Sequence, residues 1–290
     1  MGDIATRRTN SGLLFEVVSQ RAGIPVQPVK VSHHEAIADD GHRIALRLYR
    51  PDRQREGPLV VDIHGGGMIT ETPDQYEALF RDLSARAELA VLAPDYRLAP
   101  ERPDPAPVED CYATIRWAAA HATELGIDPA RIAVMGGSAG GGLAAGVTLL
   151  ARDRGGPAIA RQLLVYPMLD RTRAADPQMA HALLWSVEDN VTGWDALLGG
   201  PDETDNVSIY AAPARATDLS DLPPAYIDVG GLDLFRDEDV AYATLLARSG
   251  VPTELHVLPG VPHAFDILAP RPPSPSERST AACGSSATAD

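Results

Sequence analysis

Ile132-Ala-Val-Met-Gly-Gly-Ser-Ala-Gly-Gly141 decides how the rest of this chain is read. Four apolar residues suited to a buried strand run straight into Gly136-Gly137-Ser138-Ala139-Gly140. A helix-length apolar pattern follows, from Ala139 to Arg152. A G-x-S-x-G at a strand-to-helix junction makes a sharp turn that holds the serine in a strained backbone conformation, while the glycines let strand and helix approach closely. Ser138 is therefore expected to point its hydroxyl out of a sheet. A phosphate-cradling loop would need G-x-x-x-x-G-K-[ST], and no lysine lies near; a dinucleotide fingerprint belongs to a first strand-helix unit. Both nucleotide readings are set aside.

Outward from this turn, continuous apolar runs recur at Leu59–Ile63, Leu89–Ala93, Leu163–Tyr166 and Ala225–Val229, with a more alternating run at Thr253–Leu258. Runs of this kind suit strands covered on both faces. Helix-length segments lie between them, at Asp74–Arg86, Val108–Glu124 and Asp237–Ser249. Arg43–Tyr49 alternates polar and apolar residues after a turn-like Asp39-Asp-Gly41, as an edge-region antiparallel strand should. The alternation predicts an α/β fold: a mainly parallel sheet, helices on both faces, and function carried by loops at the carboxyl ends of the strands. Residues 39–169 and 216–269 form the expected core. Residues 1–38 and 170–215 break the alternation and are expected to fold together as a small helical cap, with ordinary surface insertions as the alternative.

The chain has 290 residues, enough for one large domain, and its 40 Asp+Glu against 25 Lys+Arg leave a formal charge of -15. That balance repels nucleic acid. Lys30 is the single lysine, so no polybasic run exists to hold an anionic membrane. Cys111 and Cys283 are too few for a disulfide framework or a four-cysteine zinc site, and no H-E-x-x-H occurs, so no metal is expected. Glu16 interrupts the apolar stretch from Ser11 to Val18 before it could serve as a secretory core, and no apolar run approaches the roughly 18 residues of a membrane span. A cytoplasmic protein with neither nucleic-acid nor membrane partners is expected.

A serine hydroxyl becomes a useful nucleophile when a histidine takes its proton and a carboxylate orients the imidazole. After the strand ending at Val229 comes Gly230-Gly-Leu-Asp-Leu-Phe-Arg-Asp-Glu-Asp239, which puts Asp233 in a strand-end loop. Asp237, Glu238 and Asp239 fall on the helix that follows and suit its N-terminal dipole. After the last strand, Pro259-Gly-Val-Pro-His-Ala-Phe265 puts His263 in another such loop; of the other histidines only His64 follows a strand end, and it precedes the serine. The chain order Ser138, Asp233, His263 is that of the α/β-hydrolases. His64-Gly65-Gly66-Gly67 follows the strand ending at Ile63. Its flexible backbone can turn N–H groups inward, so Gly65 and Gly66, with Ala139 after the serine, are the expected oxyanion donors. His64 itself is read as a brace for that loop.

With these residues in place, the chain resembles the hormone-sensitive-lipase-like branch of the α/β-hydrolases. The matching segments are His64–Gly67, Asp95-Tyr-Arg-Leu-Ala-Pro-Glu101, Gly136–Gly141, Tyr166-Pro-Met-Leu-Asp170, Leu232–Glu238 and Pro262–Phe265, together spanning about residues 40–268. The resemblance implies a bacterial-type carboxylesterase acting on small or short-acyl esters through an acyl-enzyme, with no cofactor and with the donors named above. It also implies a cap built from the N-terminal segment and the later insertion, and a buried network of Asp95, Tyr96, Arg97 and Glu101 supporting the donor loop. An amidase or other acyl hydrolase on the same triad is the near alternative; a non-catalytic ligand-binding protein on this fold is the distant one.

The sequence departs from the branch in three places. Gly137 stands where Asp or Thr is common, and Asp170-Arg-Thr-Arg173 has an arginine where a second Asp is common. Residues 270–290, beginning Pro270-Arg-Pro-Pro-Ser-Pro275, lack the period of the long final helix such proteins usually have, and disorder is expected there. The surface such a helix covers is then the expected contact for a homodimer.

Overall fold

The computed structural model describes residues 3–22, 28–51, 57–171, 185–200 and 207–268. The expected strands are all present, as β2 (Arg43–Pro51), β3 (Gly57–Ile63), β4 (Ala90–Pro94), β5 (Ile127–Gly137), β6 (Arg161–Val165), β7 (Ala225–Gly230) and β8 (Thr253–Leu258). An eighth, β1 (Val29–Ile37), precedes them. They form one sheet in the order β1-β2-β4-β3-β5-β6-β7-β8. β2 pairs antiparallel with both β1 and β4, and every other pairing is parallel. The fold is therefore α/β, as the alternation of elements requires.

The expected cap segment 1–38 divides. α1 (Ile4–Ala22) is a helix, but Val29–Ile37 belongs to the sheet, zipped along its length to β2. Lys30, His33, His34 and Glu35 obscure this strand in the sequence. Being the edge strand, it buries Val29 and Ala36 and leaves most of its other side chains at least partly open to water. In the insertion, α6 (Val187–Leu197) begins at Ser186, whose Oγ accepts from the Asp189 N–H at 3.1 Å while the Asp189 carboxylate accepts from the Ser186 N–H at 2.9 Å. Residues 172–184 and 201–206 of the insertion lie outside the described residues, as do 269–290. The expected disordered tail, and the dimer contact inferred from it, fall there.

The crossovers supply α2 (Pro73–Ala87), α3 (Ala106–Ala120), α5 (Ala139–Asp153) and α7 (Arg236–Arg248). The expected helix Val108–Glu124 ends early, at His121, and a single turn, α4 (Ala122–Leu125), continues it. A last short turn, α8 (Phe265–Leu268), follows the final loop. Apolar side chains of the sheet pack in two larger groups and a small one, in which Val229 of β7 meets Tyr166 and Ala264. Leu59, Val61 and Ile63 join Ile115 of α3 and Leu143 of α5, whereas Tyr49 and Val91 join Phe80 of α2. Burial of this kind contributes about 25 cal/mol per Å2 of apolar surface and is the main force holding the layers together. Alternate residues on β3 point to the α2 side, and one of them, Asp62, is a buried carboxyl; burial, with a smaller contribution from the Asp266 carboxylate, pushes its pKa up to about 7. Among the described residues no helix is long and apolar enough to cross a membrane.

β4 lies to one side of β3 and β5 to the other. The chain thus reverses its direction of growth across the sheet between β3 and β5, and the loops leaving their carboxyl ends part around a crevice. The β3 loop is His64–Gly67, and the β5 loop holds Ser138.

Candidate active site

Ser138 is the residue between β5 and α5, with φ 57° and ψ −121°. That left-handed backbone is rare for a residue with a side chain and persists where its surroundings over-determine it. Here the Ser138 N–H donates to the Val165 carbonyl at 2.9 Å, and its carbonyl accepts from Gly142 and Met168. Close approach of helix to strand makes the turn possible. A Cβ on Gly140 would lie 1.9 Å from the Ile63 carbonyl oxygen.

The two other loops meet the serine. Asp233 follows β7 and is fully buried; its Oδ1 accepts from the Phe235 N–H at 3.0 Å and its Oδ2 lies 2.8 Å from His263 Nδ1. His263 Nε2 lies 3.0 Å from Ser138 Oγ. With Asp233 as acceptor, Nδ1 carries the proton and Nε2 faces the serine as a base. The rings of Tyr166 and Phe235 hold the imidazole edge-on, at 4.7 and 5.2 Å between centroids. The histidine loop is tied to the aspartate loop by the Leu232 N–H donating to Val261 and the Gly231 N–H donating to Leu258. Three residues separated by up to 125 positions are thus brought into one hydrogen-bonded line.

The β3 loop is braced from below. The Tyr96 hydroxyl reaches the His64 and Gly65 carbonyls at 3.0 and 3.1 Å, and the Gly66 carbonyl accepts from the Thr70 N–H and hydroxyl. With these carbonyls turned away, the N–H groups of Gly66 and of Ala139, at the start of α5, pair with no backbone carbonyl among the described residues, while the Gly65 N–H faces the Tyr76 hydroxyl. His64 stacks on Tyr96 at 4.2 Å and directs Nδ1 to the Gly65 carbonyl. Burial pushes its pKa down to about 4, so the ring is a neutral brace at neutral pH. Of the four residues expected to form one supporting network, only Tyr96 bonds to the donor glycines. Arg97 binds Asp110 through two nitrogens and reaches Asp40, while Glu101 is exposed and meets Arg8 of α1. Asp95 bonds through its backbone N–H to Ala45.

A cavity of about 880 Å3 opens over the serine, lined by Ser138, Gly66 and His263 and, from outside the core, by Leu14 and Phe15 of α1 and by Trp185 before α6. α1 is fastened to the donor loop: Arg8 donates to the Ile69 carbonyl at 2.7 Å and to Ala99 at 3.1 Å, and Ser11 donates to the Glu71 carboxylate at 3.1 Å. Glu71 and Tyr76, which also line the cavity, went unnoticed in the sequence; nothing in a Thr-Glu-Thr-Pro turn marks a buried carboxylate. The two local departures are accommodated. A Cβ at Gly137 would come within 3.3 Å of the Tyr166 ring, and Arg171 pairs with Asp195 of α6.

The sheet order, the strained serine turn and the open donor loop at the switch point together define an α/β-hydrolase. A profile of the α/β-hydrolase fold family matches residues 60–267, and the chain belongs to that family, in its hormone-sensitive-lipase-like branch of esterases. It is 40% identical over 263 residues to Esterase LipI of Mycobacterium tuberculosis, covering 87% of this chain and 81% of that one. It is also 40% identical over 229 residues to Carboxylesterase NlhH of the same organism, covering 77% and 71%. Among solved structures, a bacterial heroin esterase superposes with a TM-score of 0.86 at 38% identity, over 97% of this chain and 89% of that chain.

Proposed function

We propose that the chain hydrolyses small or short-acyl carboxylic esters through an acyl-enzyme formed on Ser138. His263 Nε2 takes the hydroxyl proton as Oγ bonds to the ester carbonyl carbon, and the carbonyl electron pair moves onto oxygen. Asp233 keeps the imidazole in the tautomer that accepts at Nε2 and stabilises the imidazolium. The N–H groups of Gly65, Gly66 and Ala139 receive the oxyanion; in comparable sites one such donor contributes about 3–4 kcal/mol to the transition state. Collapse of the intermediate breaks the bond to the leaving oxygen, which takes the proton from Nε2. Water then repeats the sequence and returns Ser138 as its free hydroxyl.

The Asp233–His263–Ser138 line, at 2.8 and 3.0 Å, carries this reading. The names of the esterase relatives support the substrate class. α1 and the segment around α6 act as the cap, and their apolar side chains over the serine suit short acyl or alkyl groups. The test is turnover of p-nitrophenyl esters from acetyl to long-chain acyl, with an anilide for comparison, by the wild type and Ser138→Ala. Short esters are expected to turn over fastest, and the variant to fall by about 10^3-fold or more. A folded wild type no faster than the variant would overturn the assignment, and preference for the anilide would move it to an amidase.

A further inference from the structure

Glu71 occupies an unusual position. Its φ is 71°, a left-handed conformation that disfavours a residue with a side chain, yet a glutamate stands there. Tyr76 donates to Oε2 at 2.5 Å and Ser11 to Oε1 at 3.1 Å, which fixes the carboxylate and leaves about half of its acceptor positions unused. The side chain lines the same cavity as Ser138. A Cβ built on Gly65 would lie 3.6 Å from Glu71 Oε2 and 3.1 Å from the carbonyl of Gly137, so the carboxylate and the serine turn flank one donor glycine.

Among the described residues no cation pairs with Glu71. The cavity's two arginines are engaged elsewhere: Arg7 with Asp189 at 3.0 Å and Arg86 with Asp82 at 3.2 Å. Aromatic rings adjoin the carboxylate: Tyr76 meets it through its hydroxyl, and Phe15 packs on Tyr76 with centroids 4.9 Å apart, both rings lining the cavity. A carboxylate beside aromatic rings in a partly enclosed cavity is the chemistry that recognises an alkylated ammonium, by charge pairing and by cation–π attraction. Resting on the ester-hydrolysis reading above, we infer that Glu71, with Phe15 and Tyr76, forms a cation subsite beside Ser138 that selects esters bearing an alkylammonium group. Desolvation disfavours the charged carboxylate more than its bonds to Tyr76 and Ser11 favour it, and an arriving cation offsets that cost.

Acetylcholine and its uncharged carbon isostere, in which tert-butyl replaces trimethylammonium, test the subsite as a pair. The wild type is expected to show a kcat/KM ratio of cationic to neutral ester of about tenfold or more, falling towards one in Glu71→Gln. Glu71→Gly, which suits the left-handed backbone and guards against misfolding, is expected to lose the same preference. If Glu71 serves only to staple α1 to the loop, the variants slow both esters alike and the ratio stays put, which overturns the inference. A wild-type ratio near one overturns it as well. Calorimetric titration with choline needs no turnover: binding by the wild type that both variants lose supports the subsite, and absence of binding to the wild type counts against it. Failure to cleave p-nitrophenyl acetate, by contrast, would strike the hydrolase reading alone.

Discussion

Ser138, Asp233 and His263 could be found in the sequence because each stands in a short loop just after an apolar strand, where chain order and turn residues speak together. Glu71 could not, since its importance comes from what α1 and α2 bring over it. The glycines around the serine act at the same scale. Gly140 has no space for a side chain: a Cβ would sit 1.9 Å from one backbone carbonyl oxygen and 2.6 Å from the next, so helix and strand would have to separate. Gly140→Ala is accordingly expected to lose about 2–4 kcal/mol of stability, measured by urea unfolding, and to lose activity in the soluble fraction that remains. An unfolding midpoint equal to the wild type's would show that the turn relaxes more easily than its contacts imply.

Among the elements, β3 to β7 could be read from their apolar runs, β2 and β8 from alternation, and the helices between them from three- and four-residue spacing. β1 could not, because a one-sided edge strand carrying His33, His34 and Glu35 lacks a period that sequence reasoning can separate from a loop. α1 is more consequential. Its polar side chains reach core carbonyls, and Arg8 alone makes bonds to Ile69, Ala99 and the Glu101 carboxylate. The exposed ion pair contributes little, and the two carbonyl contacts carry most of the attachment. Arg8→Ala should therefore speed amide hydrogen exchange across Ile4–Val18 by about tenfold while leaving the central strands protected. Unchanged exchange in α1 would mean that Phe15 and its neighbours hold the helix without help from Arg8.

For the whole molecule, a charge of -15 and carboxyls buried away from cations among the described residues set how stability follows pH. Asp62 is raised from 3.8 to about 7, so the folded state binds its proton more tightly than the unfolded chain. Below pH 4 both states hold the proton and its contribution is fully present; as pH climbs, the unfolded chain releases it first, and the contribution is lost by about pH 7. The shift corresponds to roughly 4 kcal/mol. Asp62→Asn is expected to unfold at a higher temperature than the wild type at pH 8, with the gap narrowing towards pH 5. A gap that does not change with pH would exclude this carboxyl as the source.

The bonds from Arg8 and Ser11 have a mechanical side. Force applied to the N-terminal helix is delivered, through two side chains one turn apart, to the carbonyl of Ile69 and the carboxylate of Glu71, on the segment that continues from the donor glycines. A molecule tethered to a surface by this helix would carry its load through the loop that follows β3, whereas one held by the β8 edge would carry it through the sheet. The two attachments should therefore differ in turnover even though neither touches the serine.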